Sequence, residues 1–189
     1  MQATITYTQC PVCDSGDIHS FSQVKDFSVS GNIFAVWKCN SCSGMFTQYA
    51  PSQQVIGKYY ENENYISHTE NAKGLVNSLY LKARKITLRS KLSLIKKYTR
   101  KNTGKLLDYG AGTGAFAAFV KSMGWQSEGI EPSEAARNTA LKNNKIVLLE
   151  PEKLSSLENR SYDVITLWHV LEHIHDLKST FQNIISKLK

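Results

Sequence analysis

Polar and apolar residues change rhythm twice along this chain. Over residues 1–50 the period is short: "IHSFSQVKDFSVSG" and "NIFAVWKC" alternate apolar and polar positions around a Ser-Gly-Asn break. That alternation predicts short strands joined by hairpin turns. The segment "APSQQVIGKYYENENYISHT" is polar and aromatic-rich, and reads as a short helix near Ser52–Tyr60 followed by a loop. From Ala72 the period lengthens. Leu75, Leu79, Ala83 and Ile86 form one apolar row, and Leu81, Leu88, Leu92 and Ile95 a second, as a helix requires. The helix is expected to stop near "KNTGK", with Asn102 and Gly104 suited to a left-handed cap.

Past Gly104, short apolar runs alternate with helical stretches. Strands are expected at Lys105–Tyr109, Gln126–Ile130, Ile146–Leu149 and Tyr162–Leu167, and helices at Ala115–Met123, Ser133–Asn143 and Asp176–Leu188. Strands that alternate with helices of this length pair in parallel through right-handed crossovers, which predicts a doubly wound α/β sheet. The expected organisation is a small β module over 1–50, a connecting loop and basic helical segment over 51–104, and an α/β domain over 105–189.

Composition narrows the class. With 41% hydrophobic and 21% charged residues among 189, the chain has the make-up of a globular protein with one good core and room for a satellite module. No run of about 18 uncharged apolar residues exists, so no membrane partner is expected. The opening "MQATITYTQC" lacks the basic head and apolar core of a secretory signal, and a cytoplasmic location is the expectation. The net charge of +7 is unevenly spread: Ala72–Leu107 holds eleven Lys or Arg and no acidic residue. Such a run reads first as a solvated helix face. Its second reading is a surface attracting nucleic acid, a sugar nucleotide or another anion. Tyr80 and Tyr98 are too few for a base-stacking platform, which weakens the nucleic-acid version.

The cysteines change the picture more. "CPVC" at 10–13 and "CNSC" at 39–42 are two Cys-x-x-Cys pairs with 25 residues between them. In a reducing compartment such thiols are poor disulfide partners. Each pair can turn two thiolates toward one ion, so Cys10, Cys13, Cys39 and Cys42 complete a tetrahedral zinc site. A redox pair or unligated thiols fit the duplicated spacing less well. Ser15-Gly16 and Ser43-Gly44 follow the knuckles and are expected to permit the tight turns. Four sulfurs leave no open coordination position, so the expected role is structural, supplying folding energy that a small β module lacks. His19 is a spare ligand that four thiolates make unnecessary.

"KLLDYGAGTGAF" carries the remaining chemistry. Gly110, Gly112 and Gly114 follow a strand and open a helix, which aims backbone amides and the helix N-terminus at a bound group. Gly110-x-Gly112-x-x-Ala115 also fits the dinucleotide fingerprint. Asp108 separates the two ligand classes. A carboxylate at the strand end repels a pyrophosphate and favours a ligand with an ammonium or sulfonium charge. Glu131 ends the second strand, seventeen positions past Gly114, where a carboxylate accepts hydrogen bonds from ribose hydroxyls.

"LLDYGAGTG", "GIEPS" and "YDVITLWHVLEHIHD", in that order, resemble class I S-adenosylmethionine-dependent methyltransferases. The resemblance runs from Lys105 to the C-terminus and implies a Rossmann-like methyltransferase fold. It implies that Gly110, Gly112 and Gly114 approach the methionine and ribose, that Glu131 holds the ribose, and that Asp108 lies near the methionine ammonium. The four-cysteine module with "YYENENYISH" resembles zinc-ribbon-bearing methyltransferases, which include sugar methyltransferases. A small-molecule acceptor, a sugar or sugar nucleotide, is the expectation that follows. Glu150 is expected to reach the adenine amino group or to lie at the surface. Trp168 and His169 leave the fourth strand at the ligand-binding edge, and His169 is the candidate general base for an SN2 methyl transfer. His169 and His173 are four apart, a spacing that suits a metal on one helix but lacks a third ligand. His173 is therefore read as packing or surface. Tyr65 and His68 read as loop residues or as part of an acceptor pocket. The family's sheet is larger than the four strands read here, and the sequence stops at "FQNIISKLK". The expectation is a domain incomplete at its C-terminus, binding cofactor weakly, with an unpaired sheet edge open to homodimerisation. The reading from another class is a non-enzymatic zinc-ribbon nucleic-acid adaptor with a degenerate nucleotide fold.

Overall fold

The computed structural model describes residues 4–27, 30–52, 54–56 and 75–189, with side chains of the first long helix described from residue 81 onward. Most of the helix expected near Ser52–Tyr60 lies outside these residues, as do Tyr65 and His68. The chain divides into two compact units, Met1–Lys73 with His175–Lys178, and Gly74–Ile174 with Ser179–Lys189.

Among the described residues of the first unit the short-period pattern produces the strands β1 (Thr4–Ile5), β2 (Ile18–Lys25), β3 (Ile33–Cys39), β4 (Met45–Gln48) and β5 (Ala50–Pro51). β2, β3 and β4 form an antiparallel meander, and β1 pairs with β5. The β2–β3 register shifts between Ser20 and Ser22. This sheet covers little apolar surface. Phe21, Val24, Ile33 and Met45 are all more than half exposed, whereas Cys10 and Cys39 are almost wholly buried. Among the described residues of this unit, the buried ones are Cys10, Cys39, Gln48 and Pro51.

The second unit contains α1 (Leu75–Thr99), β6 (Lys105–Tyr109), α2 (Ala115–Ser122), β7 (Gln126–Ile130), α3 (Glu134–Asn144) and β8 (Val164–Thr166), and α4 (Leu177–Ser186) follows. β6 is central, with β7 and β8 parallel on either side. Adjacent residues of a strand face opposite sides, so Leu106 and Leu107 enter different cores. Leu106 joins Leu92 and Ile95 of α1 with Phe116, Val120 and Trp125, while Leu107 joins Ile130, Leu154, Tyr162 and Ile184. A third cluster, Ala117, Ala140, Ile146 and Leu148, seats α2 beside α3.

Four expectations are revised in detail. Ile146–Leu149 makes only an isolated parallel bridge, Leu149 to Ile130, although Ile146 and Leu148 are buried and Val147 is exposed. The strand expected at Tyr162–Leu167 shrinks to Val164–Thr166, and Tyr162 bridges Leu188 instead. α1 ends through Arg100, at φ 54°, rather than through Asn102 or Gly104. There the Arg100 amide donates to Lys96 O at 2.9 Å, and Thr99 Oγ1 donates to Ile95 O at 2.8 Å, spending the last carbonyls locally. The buried row of α1 is Leu88, Leu92 and Ile95, while Leu81 and Ile86 are exposed. Among the described residues no helix is long and apolar enough to cross a membrane.

Candidate functional site

The glycine turn between β6 and α2 has three glycines with three different environments. All have positive φ: 76° at Gly110, 55° at Gly112 and 70° at Gly114. A Cβ on Gly110 would lie 2.3 Å from Val170 Cγ2, and one on Gly114 would lie 2.6 Å from Ile146 Cγ2. A Cβ on Gly112 would meet none of the described residues within 4 Å. Gly110 and Gly114 therefore let backbone approach neighbouring side chains, and Gly112 is the glycine that faces open space. The turn's amides are mostly committed within the chain. Gly110 and Ala111 donate to Ile130 O at 2.8 and 2.9 Å, Gly114 donates to Ala111 O at 2.9 Å, and Gly112 donates to Glu131 Oε2 at 2.8 Å. An anion cradle needs free N–H groups. Four amides of this turn have already found acceptors, against the expectation that they face a bound group.

Asp108 is 2% exposed at the penultimate position of β6. Its Oδ1 accepts from Thr166 Oγ1 of β8 at 2.7 Å, so the β6–β8 pairing supplies its hydrogen-bond donor. Burial raises its pKa to about 6, opposed by the Thr166 bond and the charge of Lys91, with a small push upward from Glu131. Lys91 reaches this position from α1. Its Nζ lies 4.5 Å from the ring centre of Trp168 and 5.6 Å from that of Phe116. Burial lowers the Lys91 pKa and the Asp108 charge counteracts this. The charge of Lys91 thus acts on this carboxylate, which a reading of Asp108 in isolation omits. Because the folded state holds a proton at Asp108 that the unfolded chain has released, stability falls as pH rises from about 4 to about 6. The full difference is on the order of 3 kcal/mol. Asp108→Asn should remove that fall. In urea titrations its stability relative to the parent should improve by about that amount between pH 4 and pH 7, and a difference constant across that range would contradict it.

Glu131 follows β7 and is 8% exposed. Besides the Gly112 amide on Oε2, its Oε1 accepts from Ser133 N at 2.9 Å. Both oxygens are oriented by backbone, and each keeps a further acceptor position for a ligand. Arg137 completes the support: Nη1 donates to the carbonyls of Glu131 and Pro132, both at 2.8 Å, and Nη2 pairs with Glu150 Oε1 at 3.1 Å. The Glu150 side chain is 56% exposed in that pair.

Trp168 is half-buried at the end of β8, set edge-on to Phe116 at 5.8 Å and 87°. Its Nε1 is buried and has no hydrogen-bond partner among the described residues. His169 stands outside this packing. Its side chain is 91% exposed with Glu172 Oε1 3.7 Å away, and its backbone is left-handed at φ 59°. That φ precedes a 3-10 turn at Leu171–His173, so His169 and His173 do not share a helix face.

Lys91, Thr166, Arg137 and Val170 were not singled out in the sequence. Lys91 is one of eleven basic residues between Ala72 and Leu107, and nothing in its spacing marks it. Thr166 sits in an apolar strand, where one hydroxyl opposite an acidic strand position was the available signal.

The four cysteines converge in the first unit. All four Sγ atoms lie within 4.8 Å of one another, with Cys10–Cys42 at 3.7 Å and Cys13–Cys39 at 3.6 Å. A tetrahedron with bonds of about 2.3 Å has edges of about 3.8 Å, so these separations fit one zinc ion. The knuckles share one backbone design. Cys10 N donates to Ser15 O and Cys39 N to Gly44 O, at 2.8 and 2.9 Å, while Asp14 N and Ser43 N return to Cys10 O and Cys39 O, both at 3.0 Å. The left-handed positions are Asp14 (φ 60°) and Ser43 (φ 61°); Ser43 is among the small residues expected to serve there, and Asp14 is not. The Cys42 backbone N–H, helped by Cys13 and the Ser41 amide, lowers Cys39 to about 6 against the effect of burial, which favours its thiolate.

The model of a methyltransferase-domain family matches residues 80–189. No curated protein matches the chain. Among solved structures, a Pyrococcus horikoshii protein is similar at 25% identity and a TM-score of 0.47, over 58% of this chain and 53% of that one. A Methanococcus maripaludis protein assigned to the S-adenosyl-L-methionine-dependent methyltransferases is similar at 18% identity and 0.45, over 64% and 63%. A SAM-dependent methyltransferase from Archaeoglobus fulgidus is similar at 24% identity and 0.42, over 58% and 54%. The match spans little more than half the length of the first of these structures.

Proposed function

The chain belongs to the methyltransferase-domain family, its match covering residues 80–189, and from that premise we propose that it binds S-adenosylmethionine and transfers the methyl group to a small molecule. The observation that carries this reading is the turn after β6. Four of its amides are spent on the chain, carboxylates stand at the ends of β6 and β7, and Gly112 faces none of the described residues within 4 Å. Such a turn suits a nucleoside with a zwitterionic tail better than a pyrophosphate.

When bound, S-adenosylmethionine supplies an electrophilic methyl on a sulfonium sulfur. The chain's own part is to hold and to shield. Glu131, fixed by the Gly112 and Ser133 amides, offers its remaining acceptor positions to ribose hydroxyls. Asp108 faces the amino-acid end, and Gly112 lets the ligand lie against backbone. Glu150, in its pair with Arg137, stands on the adenine side of the Glu131 support. Phe116 and Trp168 give the site an apolar wall that keeps water from the reacting carbon. His169, on the rim beside Glu172, is assigned the acceptor's proton. The acceptor class, a sugar or sugar nucleotide, rests on the likeness of the four-cysteine module to zinc-ribbon-bearing methyltransferases. In that module the separations and the paired knuckles suit a structural zinc. Isothermal titration with S-adenosylmethionine, S-adenosylhomocysteine and NAD tests the reading. The first two are expected to bind and NAD is not. Binding of NAD alone, or of none, would sink it.

A further inference from the structure

We infer that α1 carries a docking surface for the phosphate backbone of a nucleic acid, formed by Lys82, Lys85, Arg89 and Lys96. Between Leu81 and Lys101 the chain has nine Lys or Arg and no acidic residue. A helix face that is only solvated mixes both signs, because Glu and Lys four apart support each other and like charges four apart do not. The hydrophobic core fixes where these cations stand. Leu88, Leu92 and Ile95 turn into it, and the four basic residues, at steps of three, four and seven, form one stripe along the flank of that row. Lys82, Lys85, Arg89 and the intervening Ser93 are exposed, and Lys96 is half-buried. Lys91 is outside the stripe. Two positions past Arg89, about 200° further round the helix, it lies over the rings of Phe116 and Trp168.

Among the described residues none of the four has an ion pair. Successive cations three or four apart are about 5–6 Å apart at Cβ, so they repel one another. A partner that relieves this along the whole stripe must repeat its negative charge. From Lys82 to Lys96 the stripe is about 21 Å long, and one strand of a duplex sets about six phosphates along that length. An anionic membrane also repeats its charge, but an interfacial helix buries an apolar face in it. The row Leu88, Leu92 and Ile95 is instead spent inside the protein. Tyr98 is exposed near the end of α1, and one ring stacks no run of bases. The contact is therefore with backbone, independent of base sequence. It does not depend on which cofactor the glycine turn takes.

The test is fluorescence anisotropy of the full chain with a labelled duplex of about twenty base pairs, as DNA and as RNA, from about 50 to 200 mM salt. Four neutralised phosphates predict a slope of log K against log salt of about −3.6. The triple variant Lys82→Gln, Lys85→Gln, Arg89→Gln should bring the slope to about −1 and weaken binding at least about tenfold at the lower salt. Its melting temperature should hold or rise, because like charges have been removed. Lys85→Gln alone should lower the slope by about one, a reading that does not need the triple variant to fold. Lys121→Gln, Lys142→Gln, Lys153→Gln takes the same charge from exposed positions elsewhere and should keep the parent's slope. Binding to one duplex and not the other supports the inference and names the nucleic acid. Equal loss in the two triple variants would reduce the stripe to net charge and overturn it. Binding to phosphatidylserine–phosphatidylcholine vesicles or to polyglutamate but to neither duplex would also overturn it, as would a parent that binds none of these.

Discussion

Removing metal from the four-cysteine centre, or replacing Cys39 with Ser, is expected to unfold the β2–β3–β4 sheet while the parallel-sheet unit keeps its fold. The sheet has little else to hold it. Phe21, Val24, Ile33 and Met45 are more than half exposed, and two of the deeply buried side chains, Cys10 and Cys39, belong to the proposed ligand set. Small modules of this kind obtain only a few kcal/mol from apolar burial, whereas a structural zinc is worth about 10–16 kcal/mol. Without it, four thiols held 3.6–3.7 Å apart in pairs, one of them biased toward thiolate, have no common partner. Amide resonances of Ile18–Lys25 and Ile33–Cys39 should collapse to unfolded positions on chelation, and those of Lys105–Tyr109 should not move. Dispersed strand resonances in a sample shown by elemental analysis to be metal-free would refute it.

Gly114→Val is expected to be among the most damaging single changes in the glycine turn, and Gly112→Ala among the mildest. A β-branched residue at φ 70° costs about 1–2 kcal/mol in backbone alone. The new side chain would then start 2.6 Å from Ile146 Cγ2 and 3.1 Å from Ala140 Cβ, inside the cluster that joins α2 to α3. Overpacking adds about 1–3 kcal/mol. Together these lower the melting temperature of a unit this size by about 10 °C or more. Gly112→Ala bears only the backbone cost, because its Cβ meets nothing, but it projects into the space assigned to the ligand. Calorimetry should separate the two by several degrees. If both lowered the transition equally, the different environments of these glycines would be irrelevant to stability.

The periodicity of the chain was enough to place its elements. A change from alternating to helical and then to strand–helix rhythm located β2, β3, α1, β6, α2, β7 and α3, because which face a residue presents depends only on local backbone geometry. The duplicated Cys-x-x-Cys spacing likewise announced one cluster of four thiols, which lie within 4.8 Å of one another. Where the reading fell short, the deciding contact was remote in sequence. Ile146–Leu149 has the alternation of a strand, but pairing depends on the register offered by Ile130, and only Leu149 meets it. One shortfall was local instead: Arg100 rather than a glycine turned left-handed, the end of α1 being closed by bonds four residues back, to Lys96 and Ile95.

The same division runs through the site. Asp108, Glu131 and the three glycines are legible from order and spacing, since the ends of parallel strands and the turn between them are fixed by the alternation of elements. What those groups are free to do was settled only by folding. Bringing β8 beside β6 gave Asp108 its Thr166 donor, Glu131 took the Gly112 amide, and α1 carried one lysine of a long basic run onto the rings of Phe116 and Trp168. Hydrogen bonding and charge pairing act over a few ångströms of space, whatever the distance along the chain. Sequence therefore determined which chemical groups the site has, and tertiary structure decided which of them remain available to a ligand.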